Sequence, residues 1–387
     1  MKAIHQLATV EQILARYQQD QPLHRFLAVY YRQNKQMGSK DRKIASRLIY
    51  NYFRLGHALQ QETLINRLIV ADFLCNTLSN SFIAFYKPEW EVSINLTLEE
   101  KLALVKQEFS DFDVLAIFPF HHHLSEGVDT TLFCSKILVQ PDLYIRVRKG
   151  AEKRFTGTLI DAGLNFQHLG EQTYALANGT KLDHLFTDKG LYEVQDLSSQ
   201  QVGNYFKPQK WDKWWDCCAA SGGKSLLLHQ QQPDIKLLVS DIRASILDNL
   251  DERFLHAGIR NYQKKVLDLT LDQSLFLHDY EFDGIILDAP CSGSGTWGRT
   301  PEMINQFEEH TIQFFQDLQR KIIRNVMAYL KPGKPLIYIT CSVFKEENEA
   351  QVAWIKEAFK LQVESQELIK GYQHKADTMF VARLVKA

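Results

Sequence analysis

Residues 214–224 read WWDCCAASGGK, and this stretch decides the fold prediction. Its apolar start is typical of a buried strand, and the small residues that follow end in Gly222-Gly223 before a helical pattern begins at Lys224. Paired glycines let the backbone approach a ligand closely and open onto a helix N-terminus. The stretch therefore predicts a strand, a ligand-binding loop and a helix.

The same alternation continues towards the C-terminus. Further strands are predicted over 236–241, 266–268, 282–288, 336–341 and 379–385, and helices over 244–257 and 311–330. The run 282–288 is almost continuously apolar, as expected where helices cover both faces of a sheet. Residues 208–387 are thus predicted to form a doubly wound α/β domain, which binds ligands beyond the carboxyl ends of its strands.

Two further regions precede this domain. Residues 1–140 carry apolar side chains at helical spacing and predict a helical domain, in which Ser39 would cap a helix that begins after Gly38. Residues 141–207 alternate strand-like pieces with a helix near 155–162 and predict a small α/β connecting module. The sequence therefore predicts three domains.

The composition is that of an ordinary globular protein. Of 387 residues, 45% are apolar and 24% charged, and the net charge is −1. The sequence has no run of about 18 apolar residues that would span a membrane, and its N-terminus lacks the apolar core of a signal peptide. We expect a cytoplasmic monomer whose nucleic-acid surface, if it has one, comes from local charge clustering.

One basic cluster lies between residues 25 and 54. This stretch has Asp41 as its one acidic residue and eight basic ones: Arg25, Arg32, Lys35, Lys40, Arg42, Lys43, Arg47 and Arg54. A basic helical face can follow a phosphate backbone, but it can equally be a solvated surface. Both interpretations stay open from the sequence.

The cysteines predict neither disulfides nor a metal site. All six (Cys75, Cys134, Cys217, Cys218, Cys291 and Cys341) are scattered, without the paired short spacings of a disulfide framework or a zinc site. The consecutive residues His121, His122 and His123 cannot all face one ion, so we interpret them as a solvated loop and predict no metal.

The loop at 216–224 excludes two common phosphate-binding motifs. The dinucleotide fingerprint GxGxxG is absent, and the phosphate loop GxxxxGK[ST] fits at Gly223-Lys224-Ser225 but needs a glycine where Cys218 stands. A nucleoside cofactor without a phosphate chain remains, and S-adenosylmethionine is the commonest. Asp241, which ends the second strand, suits a ribose diol, and Asp268 suits an adenine amino group. Either aspartate can instead cap the next helix.

Two cysteines each follow an apolar strand. Cys291 lies in 287–296, LDAPCSGSGT, and Cys341 lies in 338–342, YITCS. A thiolate that adds to carbon 6 of cytosine makes carbon 5 nucleophilic, a base then removes the carbon-5 proton, and a carboxyl group stabilises the adduct at ring nitrogen 3. Asp288, Cys291 and Cys341 supply these groups. Lys224 or Arg299 could lower a thiol pKa or hold a phosphate.

At these residues a family resemblance is apparent. Residues 216–224, the Asp-Ala-Pro-Cys-Ser-Gly stretch 288–293 and Thr-Cys-Ser at 340–342 resemble the motifs of the Sun/NSUN family of RNA cytosine-C5 methyltransferases, and of its bacterial RsmB-like members most of all. Three further stretches resemble the family. Residues 38–42, GSKDR, resemble the signature of its NusB-like domain, residues 194–200 resemble the segment that leads into its catalytic domain, and residues 296–302 resemble the segment after its Pro-Cys motif.

The resemblance implies a fold and roles for the motif residues. The fold would be a Rossmann-like S-adenosylmethionine-dependent methyltransferase domain, preceded by a helical NusB-like domain and a small α/β module. Cys341 would be the nucleophile, Cys291 would assist product release, and Asp288 and Lys224 would contact the cytosine. The implied cofactor-binding residues are Cys218, Ala219, Ala220, Ser221, Gly222, Gly223, Lys224, Asp241, Arg243, Asp268 and Asp288. Ribosomal RNA of the small subunit is the implied substrate, and transfer RNA is the alternative.

Two positions depart from the family pattern. Ser221 stands where relatives usually have proline, so we expect a less rigid loop with altered cofactor affinity at most. Thr300-Pro301 stands where relatives often have Asn-Pro. Two other function classes also remain. A non-catalytic ribosome-assembly factor would bind RNA without S-adenosylmethionine, and a nucleotide hydrolase that uses Gly-Lys-Ser would need ATPase activity.

Overall fold

A computed structural model describes residues 3–170 and 172–386 of the protein. Residues 1, 2, 171 and 387, which the three predicted domains include, lie outside the described part. The chain forms two compact units. One consists of Met1–Gln140 with Thr296–Glu309, and the other consists of Pro141–Gly295 with His310–Ala387. The division into three domains with boundaries at 140 and 207 stays a prediction.

Helices make up most of the described part of the first unit and flank the sheets of the second. In chain order they are α1 (Ala3–Arg16), α2 (Leu23–Gln33), α3 (Ser39–Arg54), α4 (Leu64–Cys75), α5 (Ser81–Tyr86), α6 (Pro88–Glu91), α7 (Leu98–Glu108), α8 (Thr130–Lys136), α9 (Glu152–Asp161), α10 (Leu197–Gln201), α11 (Gly223–Gln231), α12 (Ala244–Ala257), α13 (Ser274–Leu277), α14 (Met303–Gln306), α15 (Thr311–Val326) and α16 (Glu349–Phe359). Among the described residues, no helix combines the length and the apolar character needed to cross a bilayer.

The strands form two sheets, both in the second unit. They are β1 (Leu143–Val147), β2 (Phe166–Gly170), β3 (Thr173–Leu176), β4 (Tyr192–Val194), β5 (Lys213–Asp216), β6 (Lys236–Asp241), β7 (Gln263–Val266), β8 (Gly284–Asp288), β9 (Pro335–Thr340), β10 (Leu361–Ile369) and β11 (Met379–Lys386). The small sheet has the order β2-β3-β1-β4, and the large sheet has the order β10-β11-β9-β8-β5-β6-β7.

The large sheet confirms the predicted Rossmann-like α/β architecture. Its five strands β5 to β9 run parallel, whereas β11 pairs antiparallel with both β9 and β10. The central strand β9 is buried at every position, and β8 is buried up to its last residue. Because β9, β8, β5 and β6 are consecutive neighbours, their carboxyl ends form one continuous edge, as in other doubly wound sheets.

Several predicted boundaries differ from the structure. Ser39 does not cap α3: the extended backbone of Gly38 places Gly38 at the cap position and makes Ser39 the first helical residue. Strand β7 covers 263–266 rather than 266–268, because this edge strand is largely polar and Val266-Leu267, the apolar pair that suggested a strand, comes at and after its end. Helix α15 ends at Val326, and a short 3₁₀ turn follows.

The helical unit changes the interpretation of the basic cluster. Arg54 is buried and donates to the backbone oxygen of Ile137 at 2.8 Å and to Gln140 Oε1 at 2.7 Å, so it belongs to the interior rather than to an RNA-binding face. Arg47 pairs with the buried Asp72, with 3.5 Å between Nε and Oδ1. The exposed basic residues of the cluster are Arg25, Arg32, Lys35, Lys40 and Lys43. RNA contact by these five residues stays a prediction.

Residues 296–309 complete the core of the helical unit. The ring of Trp297 packs 5.7 Å from that of Phe118, and the ring of Phe307 packs 5.2 Å from that of Phe120. The backbone N–H of Leu23 donates to Glu302 Oε1 at 3.1 Å. This segment follows the Pro-Cys motif directly in the chain, but its side chains are structural parts of the N-terminal unit.

Candidate active site

The predicted site residues of the second unit gather at the carboxyl edge of the large sheet. Residues 217–222 connect β5 to α11, Asp241 ends β6, Asp288 ends β8, and Cys341 follows β9 directly. These four strands are neighbours in the sheet, which brings residues distant in sequence to one edge. Arg299 is different, since it lies in the segment that belongs to the helical unit.

The two predicted catalytic thiols are in contact. Cys291 Sγ lies 3.4 Å from Cys341 Sγ, and both residues are partly exposed. The hydrogen bond with Cys341, burial and repulsion from Cys341 and Glu347 raise the pKa of Cys291 well above its ordinary value. The raised pKa favours the protonated form of the Cys291 thiol, and either sulfur atom can donate in this contact.

Cys217, by contrast, is a structural residue. It is buried in the loop after β5, and its thiol donates to the backbone oxygen of Ile286 at 3.2 Å. Burial together with the neighbouring Cys218 raises the pKa of Cys217 well above its ordinary value. A thiol in this state does not act as a nucleophile at neutral pH.

A buried lysine and a carboxylate form an ion pair at the same edge. Lys224 Nζ lies 2.9 Å from Asp288 Oδ2 and donates to Ser199 Oγ at 2.9 Å. Burial alone would lower the pKa of Lys224, but the attraction of Asp288, supported by Cys341 and Asp216, outweighs it and raises that pKa. Lys224 is therefore a fixed cation beside the thiols at all physiological pH values.

The loop after β5 has a backbone suited to close approach by a ligand. Ala220 has φ +46° and Gly222 has φ +82°, and a side chain at Gly222 would collide with Leu250 and Phe254. The N–H of Ala220 donates to Asp241 Oδ2 at 3.0 Å, which ties the loop to the end of β6. Left-handed backbone at a non-glycine residue costs energy and persists only where the surrounding structure holds it.

Asp241 and Asp268, which were predicted to bind the ribose and the adenine, already accept hydrogen bonds from neighbouring residues. Asp241 Oδ1 accepts from the backbone N and from Nε of Arg243, whose side chain is 61% exposed and free to turn towards solvent. Asp268 lies two residues beyond β7, and its Oδ1 accepts from the backbone N and the hydroxyl of Thr270. Asp268 thus closes a local turn with Thr270 and does not cap the next helix, α13, whose cap position is Gln273.

Asp216 is a buried acid beneath this loop. Burial, with repulsion from Asp288 and Asp241, raises the pKa of Asp216 to about 7, although Ser225 Oγ donates to it at 2.6 Å. Its Oδ1 is buried with no protein hydrogen-bond partner among the described residues. Asp216 therefore exchanges a proton near neutral pH.

We expect this proton to appear in the pH dependence of stability. Between about pH 4 and pH 7, Asp216 carries a proton in the folded state but not in the unfolded state. Its contribution to the free energy of unfolding therefore falls as the pH rises through that window and does not change at higher pH. Between pH 5 and pH 8, the free energy of unfolding of wild type, measured with denaturant, should therefore fall by on the order of 3 kcal/mol more than that of Asp216→Asn. Parallel pH curves for the two proteins would contradict this assignment.

Ser221, the position where the resemblance led us to expect proline, is held by an arginine. Arg253 Nη1 donates to both the carbonyl oxygen and Oγ of Ser221 at 2.8 Å, and Nη2 lies 2.6 Å from Glu193 Oε2. The loop is thus fixed by side-chain hydrogen bonds from α12 instead of by a proline ring.

Two of the three consecutive histidines converge on one carboxylate in the helical unit. His122 Nε2 and His123 Nε2 lie 3.2 Å and 2.8 Å from Glu309 Oε1, whereas His121 Nδ1 lies 3.2 Å from the carbonyl oxygen of Phe118. The three residues form a short 3₁₀ helix rather than a loop, and the absence of a metal here stays a prediction, since the ligand atoms of His122, His123 and Glu309 lie within 4.8 Å of one another. His122 and Glu309 are more than half exposed, so these contacts are surface ion pairs.

Several residues that form hydrogen bonds with the site residues were not predicted from the sequence. Gln195 Nε2 lies 3.4 Å from the carbonyl oxygen of Gly223, and Ser199 Oγ accepts from Lys224. Glu347 accepts a hydrogen bond from the backbone N of Ser292 at 2.9 Å. The segment 194–200 resembles the family pattern, but nothing in its composition indicates contact with the loop after β5.

Comparison with known proteins identifies similar sequences for the second unit. Residues 204–385 match the family described as "16S rRNA methyltransferase RsmB/F". The chain is 33% identical over 214 residues to ribosomal RNA small subunit methyltransferase B of Shewanella oneidensis, covering 51% of this chain and 49% of that protein. It is 30% identical over 220 residues to the protein of that name from Klebsiella pneumoniae, covering 55% and 50%. The matched region thus spans about half the length of these relatives.

Solved structures extend the similarity of fold over more of the chain. The crystal structure of PH0851 superposes with a TM-score of 0.69 at 19% identity and covers 92% of this chain and 93% of that one. NSun6 from Pyrococcus horikoshii, crystallised with SFG, superposes with a TM-score of 0.60 at 17% identity, covering 69% and 97%. At these identities the likeness concerns the fold.

Proposed function

Because residues 204–385 of this chain match the RsmB/F family of 16S rRNA methyltransferases, the family that its motifs indicated, we propose that the protein methylates carbon 5 of a cytosine in RNA. The observation that carries the proposal is the contact of Cys291 with Cys341, 3.4 Å between sulfur atoms, at the ends of adjacent strands. Small-subunit ribosomal RNA is the proposed substrate.

The residues at the sheet edge fit S-adenosylmethionine. The Asp241 carboxylate becomes available to ribose hydroxyls when the exposed Arg243 side chain turns aside. Ile242, which follows it, is 59% exposed and offers an apolar surface to an adenine ring. Ala220 and Gly222 are small residues with left-handed backbone, so the loop that contains them leaves its backbone open to close approach by the cofactor. When bound, S-adenosylmethionine supplies the methyl group.

Cys341 is the nucleophile of the proposed reaction. Its thiolate forms a bond to carbon 6 of the cytosine, and the electrons of the C5–C6 double bond become available at carbon 5. The fixed cation Lys224 is close enough to Cys341 for the two to interact electrostatically. Asp288, held by Lys224 at 2.9 Å, accepts a hydrogen bond from ring nitrogen 3 once that nitrogen has taken a proton from solvent in the adduct.

Cys291 is the base that ends the proposed reaction. After methylation Cys291, which has first lost its thiol proton to solvent, takes the proton from carbon 5 as a thiolate. The C5–C6 double bond then re-forms, and the bond between Cys341 and carbon 6 breaks, which releases Cys341 as a thiolate. The raised pKa of Cys291 makes the thiolate a strong proton acceptor. The 3.4 Å contact supports this division of roles, because both sulfur atoms can reach the same side of one ring.

Product analysis tests the proposal. We expect the purified protein with S-adenosylmethionine to form 5-methylcytidine in small-subunit ribosomal RNA, detected by mass spectrometry of nucleosides. Product in transfer RNA alone would assign the alternative substrate. If the protein binds RNA but gives no calorimetric heat with S-adenosylmethionine and no product in either RNA, the non-catalytic assembly factor is the correct function.

The contact between Arg253 and Ser221 predicts a change in cofactor affinity. Arg253→Met removes two hydrogen bonds from the loop, and one net hydrogen bond contributes about 0.5–1.5 kcal/mol. We therefore expect the dissociation constant for S-adenosylmethionine, measured by calorimetry, to rise about 3- to 10-fold. Arg260→Met, at an exposed position beyond α12, serves as the matched control. Equal affinities in the two variants would show that Arg253 does not support the loop.

A further inference from the structure

Glu347 is a buried carboxylate between the two cysteine loops. It is 0% exposed. Its Oε2 accepts from the backbone N of Ser292 at 2.9 Å, and its Oε1 accepts from Ser342 Oγ at 2.7 Å. Ser292 follows Cys291 and Ser342 follows Cys341, so one side chain joins the residues directly after the two thiols.

The neighbours of Glu347 hold the residues before the thiols. Gln319 Nε2 donates to Glu347 Oε2 and to the carbonyl oxygen of Pro290, both at 3.1 Å. Asn348 accepts from Thr340 Oγ1 at 2.5 Å and donates to the carbonyl oxygen of Ser342 at 2.9 Å. The residues on both sides of Cys291 and of Cys341 are thus fixed by one hydrogen-bonded network.

Burying the Glu347 carboxylate costs free energy, so its presence points to a role other than filling space. A buried carboxylate loses its hydration, and burial accordingly raises the pKa of Glu347 against the opposing effect of Ser292, Ser342 and Gln319. An apolar side chain of similar volume would fill the same space without this cost. The carboxylate, however, accepts hydrogen bonds from two separate loops at once, and an apolar residue cannot.

We propose that Glu347 is a positioning residue of the methyl transfer, which joins the Pro-Cys and Thr-Cys loops so that Cys291 reaches the cytosine held by Cys341. The proposal rests on the proposed function for its catalytic consequence. Its geometric part, the alignment of the two sulfur atoms, stands on the hydrogen bonds alone. The two parts can therefore be tested separately.

The catalytic part predicts a specific defect in Glu347→Gln. A displacement of about 1 Å at a reacting group can cost about 100-fold in rate, so we expect turnover to fall roughly 10- to 100-fold. Because release by Cys291 is impaired, the fraction of enzyme trapped as covalent RNA adduct should rise, while the dissociation constant for S-adenosylmethionine stays within about twofold of wild type. Glu357→Gln, at an exposed position of α16, is the matched control.

The geometric part is tested without any RNA. Sulfur atoms 3.4 Å apart need little movement to form a disulfide, whose bond length is about 2.05 Å. With diamide as oxidant, we expect the Cys291–Cys341 disulfide, identified by peptide mass spectrometry, to form at least about fivefold more slowly in Glu347→Gln than in wild type and Glu357→Gln. If Glu347→Gln does not fold, Ser342→Ala, which deletes one of the bonds, should show the same slowing.

The outcomes separate the two proposals. Equal disulfide rates in wild type, in Glu347→Gln and in Ser342→Ala would overturn the positioning role. Slower closure in the variants of a protein that forms no 5-methylcytidine would retain the positioning role and reject the proposed reaction. An active protein whose variants close the disulfide slowly but release product at the wild-type rate would show that the alignment serves no catalytic purpose.

Discussion

Cys341→Ala is expected to lose RNA methylation by more than about 10³-fold, because the proposed reaction begins with a covalent bond to this sulfur atom. Cys341 directly follows β9, the strand buried at every position, and its sulfur lies 3.4 Å from that of Cys291. The loss should concern kcat, because the proposed S-adenosylmethionine site lies at the other strand ends and the dissociation constant of this cofactor should change little.

The measurement compares initial rates of 5-methylcytidine formation. Cys75→Ala is the control, because Cys75 is a free cysteine in the helical unit, where burial raises its pKa to about 12. We expect the control to methylate at the wild-type rate. Methylation by Cys341→Ala at a rate close to that of the control would remove Cys341 from the mechanism.

Lys224→Met is expected to lose activity by about 10²- to 10³-fold, the usual effect of deleting one electrostatic contact to a reacting group. The variant removes the cation 2.9 Å from Asp288 and leaves that carboxylate without its partner. Without Lys224 to orient it, Asp288 should hold the cytosine less precisely, so the loss should appear in kcat.

The pH profile distinguishes this role from general destabilisation. The folded-state pKa of Lys224 is raised above its ordinary 10.5, so its stabilising contribution is fully present below that value and is lost only at more alkaline pH. Lys224 should therefore not titrate between pH 6 and pH 9, and the ratio of wild-type activity to Lys224→Met activity should be constant over that range. Lys356→Met, exposed on α16, is the control. A variant with full activity would exclude Lys224 from the site.

The sequence predicted the central elements of the sheet better than its edges. Strand β6 and helix α12 have the predicted bounds, because alternating β and α segments with clear apolar cores determine them locally. Strand β10 was not predicted. It is an edge strand whose residues include Gln362, Glu364 and Glu367, so it lacks the apolar pattern that marks a strand.

The candidate site could likewise be predicted only where a local sequence pattern determines it. The motif residues at the strand ends could be predicted, because parallel strands bring their carboxyl ends to one edge whatever lies between them. The role of Glu347 could not, since it depends on hydrogen bonds across 55 residues of sequence to Ser292. Nor did the pattern of residues 296–309 indicate that Trp297 and Phe307 complete the core of the helical unit.

The most direct test of the central claim is a trapping experiment with Cys291→Ala. If Cys341 is the nucleophile and Cys291 the release base, this variant, expressed in its native host, should accumulate as a covalent RNA adduct that resists denaturation. Sequencing the attached RNA should identify the cytosine, and the adduct should vanish in Cys291→Ala, Cys341→Ala. If Cys291→Ala binds S-adenosylmethionine and RNA but forms no adduct, Cys341 and Cys291 do not act as nucleophile and release base.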